Sequence, residues 1–488
     1  VSDTFLAFDL GAESGRAIAG TLRGGTLVLD EIRRFHNEPV ATDGSLRWDV
    51  RRLWSEMRQA LEAAAALRLA SVAVDAWGVD YALLGERGEL LENPYHYRDV
   101  RTNGMMAAVF DRVSRARIYA ITGIQFLPIN TLYQVYAACR RTPDIVAAAQ
   151  SLATIPDLMN YWLAGQLRSE YTIATTTQMV DARAGTWADD LLNEVGIPRR
   201  LLTEIVAPGA VVGTLQSGVA DAHTGTPVVA PACHDTGSAV ASVSAGGDTA
   251  FLSSGTWSLL GTETTAPVIS ARARDLNFTN EGGVCGTIRV LKNIAGLWLL
   301  QACRRSWAAG GQAENYDDLL AAADARPAFT SLVDPDHSGF LNPVSMPAEI
   351  GAYCQRTSQP APADPPAFVR AILESLALKY RLVLEQLEEL TGRRIAQIRV
   401  VGGGSRNRRL NQFTADATGR TVIAGPVEAT ALGNIGMQML AVGAVRSIAE
   451  ARAVIERSFP VERFEPSDSD RWDAQYRRFA DYVELTCA

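Results

Sequence analysis

Three features of the sequence predict an α/β fold built from two halves of like design. Apolar runs of strand length alternate with segments of helical spacing throughout the 488 residues. A strand, a small-residue turn and a second strand open the chain at FLAFDLGAESGRA, residues 5–17. The same design returns at TAFLSSGTWSLLG, residues 249–261. Two such hairpins, each opening one half, are far less expected by chance than one. They imply a duplicated α/β domain with two phosphate-facing turns directed toward a shared cleft. The length agrees, because a chain of this size exceeds one ordinary core.

Bulk properties narrow the function. A hydrophobic content of 47% with 20% charged residues is globular composition. The net charge of −8 and pI near 5.4 argue against nucleic acid or an anionic membrane as the main partner. The cysteines (Cys139, Cys233, Cys285, Cys303, Cys354, Cys487) are dispersed without a CxxC pair, the pattern of reduced cytosolic thiols. The histidines (His36, His96, His223, His234, His337) lack any compact zinc spacing. With no basic leader and no long apolar span, a soluble cytoplasmic protein is expected.

In chain order, residues 5–8 read as a buried strand ended by Asp9, and Ala12, Glu13, Ser14, Gly15 and Arg16 form the turn. Small residues there let backbone N–H groups and Ser14 approach an anion, with Arg16 adding charge. An ordinary surface hairpin is the other reading, and no GK[ST] follows to make a P-loop. Gly24 and Gly25 mark the next hairpin turn. Over residues 48–68, Leu53, Met57, Leu61 and Ala64 share one helical face. Residues 71–84 read as two buried strands around Asp75 to Asp80. Trp77, Gly78 and Asp80 there resemble a sugar contact, an indole face edged by polar groups, with plain core and a turn as the alternative. Residues 90–205 read as helices and loops, whose polar segments 97–102, 123–137 and 169–181 are suited to wall a polar pocket.

PVVAPACHDTGSAVASV, residues 227–243, predicts a buried strand, a polar turn and a helix N-terminus. At the C-terminal end of a strand, Asp235 between His234 and Thr236 is placed to take a proton from a substrate hydroxyl. The alternative is that Asp235 or Thr236 caps the helix. After the second hairpin, residues 290–304 predict a turn and a helix, with Asn293 at its start and Gln301 among its apolar positions. The proline-rich run 354–368 reads as a loop leading into a long helix, 368–390, stopped by Gly392. Residues 398–419 give a strand, Gly402, Gly403 and Gly404, and a helix. That glycine run lets a base or ribose lie against the backbone beside helix N–H donors, although it is not the GxGxxG dinucleotide fingerprint. Residues 423–441 supply a strand, a turn with Glu428 and a small-residue helix able to pack closely. The final charged segment reads as a peripheral helical tail.

The ordered motifs DLGAESGR, DAWGVD, GIQFLPINTLYQ, ATTTQMVD, HDTGSA, LSSGTWSL, LKNIAGLWLLQ, VVGGGSRN and AGPVEATALGNIG resemble those of rhamnulokinases, a branch of the FGGY carbohydrate kinases. The resemblance implies two duplicated actin-like ATPase (ribonuclease H-like) α/β domains flanking a central cleft. Residues 1–244 would be mainly sugar-binding and carry the first phosphate hairpin, and 245–488 mainly ATP-binding. The implied activity moves the ATP γ-phosphoryl group to the 1-hydroxyl of L-rhamnulose, with magnesium, in L-rhamnose breakdown. The same resemblance makes Asp235 the catalytic proton acceptor and sets Gly78, His234, Asp235, Thr236 and Asn293 on the sugar. It sets Ala12, Glu13, Ser14, Gly15, Arg16, Thr256, Gln301 and Gly403 on ATP, and Asp9 on magnesium through water. Glu13 is an acid where a small hydroxyl residue also occurs, so it is expected to turn away from phosphate or toward the metal. Thr414 and Thr418 stand where some relatives carry cysteines. An actin- or chaperone-like ATPase without a sugar substrate, a dinucleotide oxidoreductase suggested by the glycine run alone, and a sibling such as L-fuculokinase are the competing readings. A monomer or small homo-oligomer is expected.

Overall fold

The computed structural model describes residues 3–312 and 315–487; Val1 and Ser2, at the head of the opening segment, lie outside them. The strands that frame the site are β1 (Asp3–Leu10), β2 (Ser14–Arg23), β3 (Thr26–His36), β4 (Leu69–Ala76), β5 (Ala210–Thr214) and β6 (Pro227–Ala230). They are followed by β7 (Thr249–Ser254), β8 (Trp257–Thr264), β9 (Gln397–Val401), β10 (Thr421–Ala424) and β11 (Glu462–Phe464). The main helices are α1 (Val50–Ala63), α2 (Ile155–Ala164), α3 (Asp235–Ala241) and α4 (Trp298–Ala309). Four more follow: α5 (Pro365–Thr391), α6 (Arg408–Thr418), α7 (Ala429–Ala441) and α8 (Ser469–Cys487). The chain divides into two compact units. Unit 1 gathers Val1–Ser244, Glu263–Val290 and Ala429–Pro460, and unit 2 gathers Ala245–Thr262, Leu291–Glu428 and Val461–Ala488.

Unit 1 is organised on a six-stranded sheet in the order β5-β6-β4-β1-β2-β3. Hairpins join β1, β2 and β3, with Gly24 and Gly25 at φ 57° and 80° making the second turn, a conformation that favours glycine. β4 runs parallel to both β1 and β6. Strand alternation sends successive residues of β1 to opposite faces. Leu6, Phe8 and Leu10 meet Leu53, Met57 and Leu61 of α1 and Leu158 and Met159 of α2. Phe5 and Ala7 meet Leu432, Ile435 and Met439 of α7. Both faces are covered, so the central strands read as unbroken apolar runs. The expected helices begin and end where their caps dictate: Asp49 accepts the Arg52 N–H at the start of α1, and Gly165 ends α2 at φ 74°.

The strands of unit 2 run β8-β7-β9-β10-β11. Their pairings are antiparallel, parallel, parallel and antiparallel in that order. In unit 1, β2-β1-β4-β6-β5 has the same four pairings in the same order. The duplication inferred from the two hairpins therefore extends through five strands of each sheet.

Four local expectations are corrected. Asn293 lies in a strand, Ile288–Ala295, and α4 starts only at Trp298, because Gly296 makes the intervening turn. A Cβ on Gly296 would sit 2.8 Å from Ser258 N and from the Trp257 carbonyl carbon, so the chain turns there against β8. α6 does not follow the glycine run directly: residues Gly403–Arg406 form a 3₁₀ turn and Asn407 caps the helix through the Leu410 N–H. The proline-rich loop is shorter than expected, since Met346–Arg356 is helical and α5 begins at Pro365 with Asp364 as its cap. Prolines at the first positions of a helix lose no internal hydrogen bond. α8 is not peripheral, because Trp472 and Phe479 are buried. Among the described residues, no helix is long and apolar enough to cross a membrane, and Cys139, Cys233, Cys285, Cys303 and Cys354 are free thiols.

Candidate active site

Asp9, next to the last residue of β1, sits opposite Arg16 in the antiparallel register and forms an ion pair with it. The hairpin tip is closed by Gly11 N–H donating to Ser14 O at 2.9 Å, and Asn37 ties it down by donating its side-chain amide to Gly11 O at 2.8 Å. Gly15 has no room for a side chain, since a Cβ would lie 2.2 Å from the Phe35 ring. Ala12, Ser14 and Arg16 are half-buried at this tip, and Glu13 is exposed.

In the parallel register Asp9 has Asp75 as its neighbour at the end of β4. Asp75 is fully buried; Asn434 of α7 donates to its Oδ2 at 2.6 Å, and its Oδ1 has no hydrogen-bond partner. Burial, and then the charge of Asp9, hold the Asp75 carboxyl well above the usual range.

Beyond β6 the chain continues the parallel pairing as far as His234, which bridges to Ala76 and so brings Asp235 beside the strand ends that carry Asp9 and Asp75. His234 is the N-cap of α3 and makes no side-chain capping bond; Asp235 is the first helical residue. Asp235 is therefore not the N-cap residue, although its Oδ1 accepts the first-turn Thr236 N–H. The hydrogen bonds to Asp235 converge on one oxygen. Oδ1 accepts from Thr236 N–H at 2.5 Å and from Thr236 Oγ1 at 3.2 Å, and His234 Nε2 lies 3.4 Å away. Its side chain remains 30% exposed, so a ligand can reach it, while the surrounding protein desolvates it. That desolvation raises its pKa; His234 lowers it and Asp9 raises it further.

Gly78 faces this group. A Cβ on it would lie 3.3 Å from Thr176 Oγ1 and 3.4 Å from His234 Nε2. Trp77 and Asp80 do not join the site, and here the core reading holds. Asp80 Oδ2 accepts from Trp48 Nε1 at 2.6 Å and Trp77 Nε1 at 3.0 Å, and Oδ1 accepts from Gln134 at 2.9 Å. Burial lifts Asp80 to about 6. The polar segments 123–137 and 169–181 act on the backbone near the site. Thr131 and Gln134 donate to Val79 O at 2.6 and 3.2 Å, holding Val79 at φ 68°.

In unit 2, Gly255 N–H donates to Trp257 O at 2.9 Å to close the β7–β8 turn. The carbonyls of Gly255 and Thr256 accept from Leu297 and Trp298 N–H, both at 3.0 Å, so α4 starts on this turn. Gln301, one turn into α4, has its Oε1 buried without a partner. A Cβ on Gly404 would lie 2.1 Å from Ser254 Oγ, and one on Gly402, at φ 82°, 3.1 Å from the Ser254 carbonyl oxygen, so this run rests on the hairpin. Gly403 alone faces open space. Thr256, Gln301 and Gly403 thus share one region of unit 2, and Asn293 belongs to the same unit.

The sequence profile of the N-terminal domain of the FGGY family of carbohydrate kinases matches residues 4–241, and that of its C-terminal domain matches residues 250–442. The chain belongs to the FGGY family of carbohydrate kinases. It is 45% identical over 489 residues to a rhamnulokinase of Bacteroides thetaiotaomicron, covering 99% of this chain and 100% of that one. It is 44% identical over 480 residues to a rhamnulokinase of Pectobacterium atrosepticum, covering 97% and 95%. Among solved structures it resembles a gluconate kinase from Lactobacillus acidophilus, with a TM-score of 0.84 at 15% identity, covering 100% and 99% of the two chains. A ligand-bound xylulose kinase from the same organism gives 0.83 at 16%, with the same coverage. These likenesses establish the fold, two actin-like α/β domains. As an FGGY carbohydrate kinase the protein is a phosphotransferase that uses ATP, which overturns the oxidoreductase and chaperone-like readings.

A sugar kinase needs cationic charge near the transferred phosphate, and the carboxylates of this FGGY member are short of it. Among the described residues no group of three or more His, Cys, Asp or Glu is arranged to hold a metal ion alone. The unpartnered Asp75 Oδ1 and the mutual repulsion of Asp75 with Asp9 and Asp235 nevertheless fit a cation carried by nucleotide and water.

Besides Asp75, three residues at the site went unread in the sequence. Glu170 accepts from Cys233 N–H at 3.0 Å, Thr172 Oγ1 and Ile173 N–H, bracing the backbone before Asp235; burial lifts it to about 7. Glu281 and Arg289 close on His234. Glu170 sits in the hydroxyl-rich segment already noticed, but nothing local marked Glu281 or Arg289.

Proposed function

We propose that the protein is an ATP-dependent kinase that phosphorylates the 1-hydroxyl of L-rhamnulose, giving L-rhamnulose 1-phosphate and ADP in the cytoplasm during L-rhamnose breakdown. The observation that carries this reading is the state of Asp235. It is a reachable but desolvated carboxyl at a strand end, with its donors gathered on Oδ1. Proteins named rhamnulokinase, alike over nearly the whole chain, support the choice of sugar.

In this reading the ketose lies against Gly78, His234 and Thr236, with Asn293 as a further contact. Asp235 Oδ2 takes the proton of the attacking hydroxyl as its oxygen bonds to the γ-phosphorus. A base with a raised pKa holds that proton better than an ordinary carboxylate, which matches it to a hydroxyl whose proton leaves late. The turn Ala12–Arg16 and the Thr256 turn donate N–H groups to phosphate, and Gln301 and Gly403 receive the nucleoside. Residues 1–244 serve mainly the sugar and 245–488 mainly ATP. Magnesium, held through water by Asp9, would neutralise charge building on the phosphate oxygens.

The test is a coupled ADP-release assay across L-rhamnulose, L-fuculose, L-xylulose and D-xylulose, compared by kcat/KM. L-Rhamnulose is expected to be the best substrate by at least about tenfold, the discrimination that one misplaced hydroxyl typically gives. A preference for L-fuculose would replace the substrate and leave the kinase assignment standing.

A further inference from the structure

His234 is held from behind by two groups with no part in the reaction described above. Arg289 is fully buried; its Nε donates to Gly282 O at 2.8 Å, and its Nη2 lies 3.2 Å from His234 Nδ1. Glu281 Oε2 lies 3.3 Å from both Nδ1 and Arg289 Nη2. On its other edge the imidazole presents Nε2 to Asp235 Oδ1 at 3.4 Å. Glu170 and Glu263 add negative charge around Arg289.

A guanidinium has donors only, so in its contact with the ring the Nδ1 atom is the acceptor. A neutral imidazole that accepts at Nδ1 carries its proton at Nε2. We propose that Arg289 is a positioning residue that fixes His234 as the Nε2–H tautomer. The ring then donates to Asp235 Oδ1 and leaves Oδ2 to receive the substrate proton. Glu281 Oε2, 3.3 Å from the guanidinium, balances its buried charge. The opposite tautomer would donate to Glu281 and turn a lone pair toward the Asp235 carboxylate, repelling it.

This inference rests on Asp235 being the base, but its principal test does not depend on activity. In wild-type protein labelled with ¹⁵N-histidine, the His234 signals, assigned by their loss in His234→Gln, are expected to show Nδ1 unprotonated and Nε2 protonated at a pH where the ring is neutral. A protonated Nδ1 overturns the proposal. Two kinetic comparisons follow. Arg289→Met is expected to lower kcat about 10–100-fold, the usual worth of a group that orients a functional histidine, with KM for ATP unchanged. His234→Gln, whose amide reaches the Nε2 position, is expected to retain more kcat than His234→Asn, whose amide reaches only the Nδ1 position. Equal kcat in those two variants overturns the proposal even if Arg289→Met fails to fold. Absence of ketose-dependent ADP release in the wild type would instead defeat the kinase reading and leave the tautomer result intact.

Discussion

Replacing Asp235 by asparagine separates basicity from packing. The amide oxygen inherits the place of Oδ1 and still accepts from Thr236 N–H and Thr236 Oγ1. His234 Nε2 keeps its neighbour. Only the second oxygen changes, from a proton acceptor to an NH₂ group. General-base catalysis is worth about 10²–10⁴ in rate, so kcat should fall by that factor, about 3–5 kcal/mol of activation free energy. KM for the ketose should change little. Stability should move the other way. The folded chain raises the Asp235 pKa, chiefly by burial, so above that pKa the ionised carboxylate costs the folded state free energy that a neutral amide does not. The variant is therefore expected to melt at or above the wild-type temperature at pH 8 while losing most turnover. ADP release and a thermal melt measure the pair. Near-full turnover would remove Asp235 from the mechanism, and lost turnover with a lowered melting temperature would make its role structural.

Gly78→Ala sets a methyl group 3.3 Å from Thr176 Oγ1 and 3.4 Å from His234 Nε2, in the space assigned to the sugar. KM for the ketose should rise about tenfold or more with KM for ATP unchanged, and unaltered ketose kinetics would move the sugar elsewhere. Gly433→Ala sets a Cβ 1.7 Å from Ser238 O, backbone that has nowhere to go, so α7 and α3 must separate. A loss of about 1–3 kcal/mol is expected in a urea titration, and an unchanged midpoint would refute that packing. Burial raises Asp80 to about 6 and Glu170 to about 7. Each keeps its proton in the folded chain where the unfolded chain has lost it. Their contribution is complete below the unfolded values of about 4 and is lost as pH rises through about 6–7. The urea midpoint should therefore fall between pH ~5 and ~7.5, and a rise over that interval would mean these carboxyls are ionised when folded.

What could be read from the sequence was what local pattern controls. The hairpins at Asp9–Arg16 and Ser253–Thr256 were legible because small residues between apolar runs have few other uses. Asp235 was legible because a polar triplet after a buried strand is conspicuous. Trp77 and Asp80 could not be sorted between core and sugar contact, since an indole beside a carboxylate serves either, and only the position of Trp48 settles it. Asn293 was drawn into a helix because the pattern of LWLLQ runs back smoothly through it, whereas Gly296 breaks the chain against β8. Asp75, Glu281 and Arg289 look like ordinary strand residues. Each gains its meaning from a partner remote in sequence: Asn434 for Asp75, His234 for the other two.

The helix α7 also bears on how the protein is made. Asn434 and Gln438 bond to Asp75, Ser71 and the Leu6 carbonyl, and Leu432, Ile435 and Met439 cover Phe5 and Ala7. β1 therefore waits for α7, made far later in the chain, before one of its faces is dry. Until then a newly made chain presents that apolar face to its surroundings, the condition under which nascent proteins aggregate or engage chaperones. The contacts that complete unit 1 join segments remote in sequence, the kind of pairing whose loop-closure entropy slows folding.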